Sequence, residues 1–208
     1  MSDNMTVQMI YKSRNNLLDM LKEQNYDVSQ YENVGINEVN SLLSSKQLDM
    51  LLKKTNSEKK IYIKYHLAKA LRATNIQELI EELFSLDEIL KKTDDLMIIV
   101  KDEPNETLVK SISSIWETEN IFITVLTVKQ LQFNILNHVL VPKHRILNEI
   151  ESEEIRKKYN IMDDSQMPDI SRHGPVSKIL GLRPGEICEI TRSSKTGIIS
   201  KFYRICSS

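Results

Sequence analysis

Three sets of side chains in this 208-residue chain have types and spacings that could do chemistry. Asp49 and Lys64 fall in two adjacent apolar segments, and a metal-dependent nuclease uses such a pair: an acid on one strand, and on the next an acid-x-lysine, so that metal and lysine together activate water. The second acid would have to stand two positions before Lys64, where the sequence has Tyr62, and a phenol does not replace a carboxylate. The arrangement therefore predicts a nuclease-like sheet without the catalytic set. His138 and His144 are the second candidate, as a metal pair, but Pro142 lies between them and zinc needs further ligands brought close, which favours a structural role. His66 and His173 stand isolated and read as ordinary packed or surface histidines. The third is Arg156-Lys157-Lys158, a possible phosphate patch that also reads as the basic end of a helix opened by Glu151, Glu153 and Glu154. Neither G-x-x-x-x-G-K nor G-x-S-x-G occurs, so phosphate-loop and serine-hydrolase chemistry are not expected.

The elements that must position these groups follow from apolar spacing. Val7, Ile10, Leu17, Leu18 and Leu21 predict a helix over residues 4–24, and Ile36, Val39, Leu42 and Leu43 a shorter one. Leu48 to Leu52 and Ile61 to Tyr65, separated by a polar turn, predict an antiparallel strand pair. Thr74-x-x-Gln77 has the form of a capping box ahead of Ile76, Leu79, Ile80, Leu83 and Leu86. Leu96 to Val100 is wholly apolar and Ile121 to Leu126 is apolar but for Thr124, as strands buried on both faces are, and the helical stretch 105–118 between them implies a parallel crossover. After Asn137 the character changes to prolines, glycines and short strands. Asn148-x-x-Glu151 caps a helix running to about Tyr159, and Ile187 to Thr191 and Ile198 to Ile205 read as a hairpin. The expected organisation is an α/β domain over 1–137, a mixed sheet with flanking helices, and a small α+β domain over 138–208 built from helices and that hairpin.

Composition bounds the function. A hydrophobic share of 40% with 27% charged residues is ordinary for a globular protein, and 28 basic against 29 acidic residues leave a net charge of -1, with no global field for nucleic acid. Any DNA contact would be local. Cys188 and Cys206 are too few for a disulfide framework, which suits a reducing compartment. No apolar run approaches the ~18 residues of a membrane span and the N-terminus lacks a signal-peptide plan, so a soluble intracellular protein is expected. Trp116 reads as core, or as an anchor for a partner if exposed.

One ordered series of residues goes further: His138-x-x-Val141-Pro142-x-His144, Pro168-Asp169-Ile170, Gly174-Pro175-Val176, Gly181-x-x-x-Gly185, Arg192-x-Ser194-x-Thr196 and Tyr203-Arg204. In this order and spacing it resembles the C-terminal assembly domain of the fifth subunit of eukaryotic RNA polymerases, a domain shared with a shorter archaeal counterpart. Gly174 stands where an acid usually precedes the proline, and Ser193 where a proline is common. More loosely, Tyr11-Lys12-x-Arg14, Asn25-Tyr26-Asp27-Val28 and the strand at Leu96 to Val100 resemble the jaw domain that only the eukaryotic type carries. The resemblance implies a non-catalytic subunit without cofactor, metal, small-molecule substrate or membrane contact. Its C-terminal domain would dock on the largest subunit through His138, Val141, Pro142, His144, Pro168, Ile170, Pro175, Val176, Gly181, Gly185, Arg192, Ser194, Thr196, Tyr203 and Arg204, and its jaw would lie beside downstream DNA. The loop implied to approach that DNA contains Lys101, Asn105, Thr107 and Lys110, yet Asp102, Glu103 and Glu106 crowd it with charges that repel phosphate. Frequent Asn, Ile and Lys suggest a divergent copy of the kind carried by large cytoplasmic DNA viruses, which would act in the cytoplasm of the infected cell and in the virion; a cellular copy would act in the nucleus. The alternative is a free-standing regulatory or DNA-binding adaptor that uses the same C-terminal domain to reach a polymerase.

Overall fold

Apolar side chains at every position from Leu96 to Val100 demand cover on both faces, and the strand they form, β3 (Asp95–Val100), is buried along its whole length, as is β4 (Phe122–Thr127) beside it. These elements belong to a computed structural model that describes residues 3–68, 70–194 and 197–207. The described chain divides into two compact units, Met1–Asn134 and Ile135–Ser208. The second begins before the change in composition after Asn137 because the 3-10 turn Ile135–Asn137 contacts the helix at Pro175–Leu180.

In the first unit, β1 (Met50–Lys53) runs antiparallel to β2 (Lys60–His66), and β2, β3 and β4 run parallel, in the order β1-β2-β3-β4. The N-terminal helices are α1 (Asp3–Glu23) and α2 (Ile36–Ser44); α3 (Ala73–Ile80) connects β2 to β3 and α4 (Glu106–Glu119) connects β3 to β4. Leu96, Ile98 and Val100 point to the face that α3 and α4 cover, packing with Ile76, Ile112 and Ile123. Asn105 starts α4, its Oδ1 accepting from the Leu108 N–H at 2.9 Å, and Asn120 ends it in the left-handed region at φ 56°. Trp116 is half-buried, edge-on to Phe122 at 5.8 Å between centroids. Two expectations for α3 need correction. Thr74 is not its cap: the helix begins at Ala73, and the Asn75 Oδ1 accepts from the Arg72 N–H at 3.2 Å. Nor does the helical spacing continue to Leu86, because the winding opens into a π-helical stretch from Glu81 to Leu86, which keeps Leu83 buried and turns Leu86 out to solvent.

The second unit contains more than helices and a hairpin. Strands β7 (Ile187–Ser193) and β8 (Ile199–Ser207) form the hairpin, with β5 (Lys143–Ile146) antiparallel to β7 and β6 (Asp169–Ser171) parallel to β8, giving a sheet of order β5-β7-β8-β6. The added strands have four and three residues, too short for alternation to register in sequence. α5 (Glu149–Lys158) carries the expected reciprocal cap: Asn148 Oδ1 accepts from the Glu151 N–H at 2.9 Å and Glu151 Oε2 from the Asn148 N–H at 3.0 Å. α6 (Pro175–Leu180) has Pro175 at its start and Gly181, at φ 67°, closing its end. The sheet is apolar on both faces. Leu147, Met167, Ile187 and Ile205 pack on one, and Leu182, Cys188, Ile190 and Cys206 on the other.

Candidate functional site

Strand pairing decides which side chains of the second unit share a surface, since directly opposed residues project to the same face. His144 opposes Ile190, which opposes Phe202; Cys188 opposes Arg204; Arg192 opposes Ser200; and Ile170 opposes Cys206. His144, Ile170, Arg192 and Arg204, four of the residues singled out in sequence, therefore lie on one face. Phe202 joins them, although sequence reasoning passed over it. Cys188 and Cys206 lie beneath Leu182 at one end of this face, buried and free, with burial pushing their thiols up to about 11 and about 12. At the other end Phe202 is 38% exposed and Arg192 lies open to solvent, its guanidinium carbon 3.5 Å from the Phe202 ring centroid. Stacking of this kind holds a cation flat against an aromatic face and leaves its N–H groups free in the plane.

The opposite face is knitted internally. Arg145, Glu189 and Tyr203 form a row across β5, β7 and β8. Glu189 is buried, and its Oε2 accepts from Lys201 Nζ at 3.1 Å and from the Tyr203 hydroxyl at 3.2 Å, while Arg145 Nε lies 3.5 Å from Oε1. Burial alone would raise the Glu189 pKa, but Lys201, Arg145 and the Tyr203 hydroxyl together hold it below the usual carboxylate range. Burial, and then the Glu189 charge, push the Tyr203 phenol upward. Arg145 Nη1 also reaches Glu151 Oε1 at 2.7 Å, tying the start of α5 to the sheet. Tyr203 thus faces away from Arg192 and Arg204, and its hydroxyl is engaged inside the unit.

The remaining residues of the series shape the backbone. His138 and Val141 close a turn, the Val141 N–H donating to the His138 carbonyl at 2.8 Å, while Val139 and Leu140 stand 98% and 83% exposed at its tip. His138 Nδ1 accepts from the Leu140 N–H at 3.2 Å, and His144 Nδ1 lies 2.6 Å from the Pro142 carbonyl, so each ring is tied to its own loop. The Pro168 carbonyl accepts from the Ile205 N–H at 3.0 Å, setting the β6 register, and Arg204 Nη1 donates to the Asp169 carbonyl at 2.8 Å. Pro175 and Val176 form the first turn of α6, and Gly185, at φ 87°, donates to the Cys206 carbonyl at 3.0 Å. Ser194 is half-buried beside the hairpin tip; Thr196 lies outside the described residues. Arg156 pairs with Asp164 at 2.6 Å, and Lys158 sits over the Tyr159 ring. His173 is half-buried, and burial, then Arg172 and Lys178, favour its neutral form.

In the first unit Asp49 and Lys64 do meet, but as an ion pair: Lys64 Nζ lies 2.6 Å from Asp49 Oδ2, Asp49 Oδ1 accepts from the Tyr65 N–H at 3.0 Å, and the Tyr62 hydroxyl approaches Oδ2 at 3.4 Å. Burial, and then Asp49, push the Tyr62 phenol up to about 12. Among the described residues no group of three or more His, Cys, Asp or Glu could hold a metal, and no helix is long and apolar enough to cross a membrane. Lys101 and Lys110 are exposed on the loop after β3 and on α4, whereas the Asn105 side chain is occupied by its cap and the Thr107 carbonyl by the Ser111 hydroxyl.

Comparison with known proteins matches residues 133–206 to the family described as RNA polymerase Rpb5, C-terminal domain. DNA-directed RNA polymerase subunit Rpo5 of Thermococcus kodakarensis is 49% identical over 74 residues, 36% of this chain and 89% of the archaeal one. Two relatives match nearly end to end. The DNA-directed RNA polymerases I, II, and III subunit rpabc1 of Dictyostelium discoideum is 25% identical over 201 residues, 96% of this chain and 98% of the relative. The DNA-directed RNA polymerases IV and V subunit 5B of Arabidopsis thaliana is 23% identical over 203 residues, 95% and 89% respectively. The family match covers the sheet that carries His144, Ile170, Arg192, Phe202 and Arg204, and the two eukaryotic matches extend over the α/β unit as well: the chain belongs to the Rpb5 family of DNA-directed RNA polymerase subunits, whose members are structural rather than catalytic.

Proposed function

We propose that this chain is anchored in a multisubunit RNA polymerase by its second unit, acting there as an assembly domain that docks on the largest subunit. The reading rests on one observation above the others: one face of the β5-β7-β8-β6 sheet presents an arginine stacked on a half-open phenylalanine, with Arg204 and His144 on the same face. Aromatic and arginine side chains dominate protein interfaces because they bury large areas while keeping directional hydrogen bonds. The exposed turn at Val139 and Leu140 supplies a second apolar contact. Tyr203, with Glu189, stiffens the strands from the opposite face, which makes it a positioning residue.

The first unit serves as the jaw and lies near the downstream DNA duplex, with Lys101 and Lys110 as its nearest cations. A contact through these two is weak and local, since Asp102, Glu103 and Glu106 share the segment. In an infected cell the complex works in the cytoplasm and enters the virion; in a cellular eukaryote it works in the nucleus. Affinity purification of the tagged chain tests the subunit reading. Stoichiometric recovery of the polymerase core is expected, whereas elution of the chain alone while the other subunits elute together would leave only the adaptor reading.

A further inference from the structure

We propose that the first unit binds a small amphiphilic anion, an apolar body ending in one carboxylate or phosphate, in a cavity at the carboxyl ends of β2, β3 and β4. This site is separate from the docking face and goes beyond the assembly role. The cavity measures about 660 Å³, within the range of about 300 to 1,000 Å³ typical of small-molecule sites. Three of its wall segments directly follow parallel strands: Leu67 after β2, Lys101 and Asp102 after β3, Val128 and Lys129 after β4. Met9 and Ile10 of α1 and Leu43 of α2 add further apolar wall.

Charge selects the ligand. Lys46, Lys64, Lys101 and Lys129 line the cavity against two carboxylates, Asp49 and Asp102. Lys64 and Asp49 neutralise each other at 2.6 Å, which leaves three solvent-exposed lysines against the one aspartate, Asp102, among the lining residues. Apolar walls with an excess of cations fit an apolar anion, and its source is either an aliphatic carboxylate or a nucleoside monophosphate.

The test titrates the full chain with the fluorescent aryl sulfonate anilinonaphthalene sulfonate and then adds decanoate or thymidine monophosphate as competitor. One dye per chain is expected, displaced by at least one of the two anions, and whichever displaces it identifies the source. The double variant Lys101→Glu/Lys129→Glu should bind the dye at least about tenfold more weakly, because it reverses two charges beside an anion. Lys157→Glu/Lys158→Glu, with the same change in net charge outside the cavity, should bind as the parent does. Near-UV circular dichroism reports whether each variant keeps its fold, and Lys101→Gln/Lys129→Gln, expected to weaken binding less but in the same direction, replaces the glutamate pair if that pair is misfolded. Equal dye affinity in the folded lysine variants, displacement by neither anion, or equal displacement by duplex DNA at the same phosphate concentration would each overturn the proposal. The measurement uses the free chain, so its failure leaves the docking account untouched.

Discussion

The Arg192 guanidinium carbon lies 3.5 Å from the centroid of the Phe202 ring, on the face of the hairpin that also carries Arg204. Lysine cannot replace this arrangement, because an ammonium has no plane to stack and no fork of donors. Arg192→Lys and Phe202→Ala should each weaken binding to the polymerase's largest subunit by about 2 kcal/mol, roughly 30-fold in Kd. Lys101→Ala and Lys110→Ala should change it by less than about 0.5 kcal/mol. Titration of each labelled variant against the largest subunit checks both.

Glu189 makes acid stability a readout of the other face. Its pKa in the fold lies below that of the unfolded chain, so the stabilisation from Lys201, Tyr203 and Arg145 is fully present above the ordinary carboxylate pKa of 4.5 and fades as pH falls through the lower folded value. Glu189→Gln should therefore cost about 1 kcal/mol at pH 7 and progressively less below about pH 4. Urea unfolding of parent and variant at both pH values measures the narrowing gap, and a constant gap would show that the charge of Glu189 is not what matters.

Asp49 holds Lys64 and the Tyr65 N–H, so removing its carboxylate strands two partners. Asp49→Ala should lower stability by about 1 to 2 kcal/mol, and Asp49→Asn, which can still accept from Tyr65, by less. Thermal unfolding of the pair reads this. Parent and variants should all leave duplex DNA uncut in magnesium; cleavage by the parent that Asp49→Ala abolishes would instead revive the nuclease reading.

Ile98 is central to the α3 and α4 side of the first unit, fully buried among side chains from four elements. Ile98→Ala should cost about 3 to 4 kcal/mol, through lost transfer energy and the void left behind. Denaturant midpoints check this, and a cost below about 1 kcal/mol would contradict a close-packed core there.

Much of this was legible in sequence wherever a local pattern dictates the outcome. The apolar runs at Leu96 and Ile121 and the Asn148–Glu151 cap appear as expected because each is set by near neighbours. Strands β5 and β6 were not legible, since a three- or four-residue edge strand is defined by its partner rather than by its own periodicity. The helix after Thr74 misled for a related reason: Asn75 caps it from within, and the π-helical stretch shifts the phase, so Leu86 leaves the buried stripe. In the site, residue type could nominate Arg192, Tyr203 and Arg204 together. Only register separates them, placing Tyr203 against Glu189 and leaving Phe202, which residue type did not single out, part-exposed on the other face.

The most direct test of the docking account is the affinity of the full chain for the largest subunit, measured for the parent and for the double variant Arg192→Ala/Phe202→Ala, with folding verified by circular dichroism. The account predicts that the folded double variant loses at least about 30-fold in affinity, the equivalent of about 2 kcal/mol. Undiminished binding by a folded double variant would contradict it, placing the attachment on another surface of the chain.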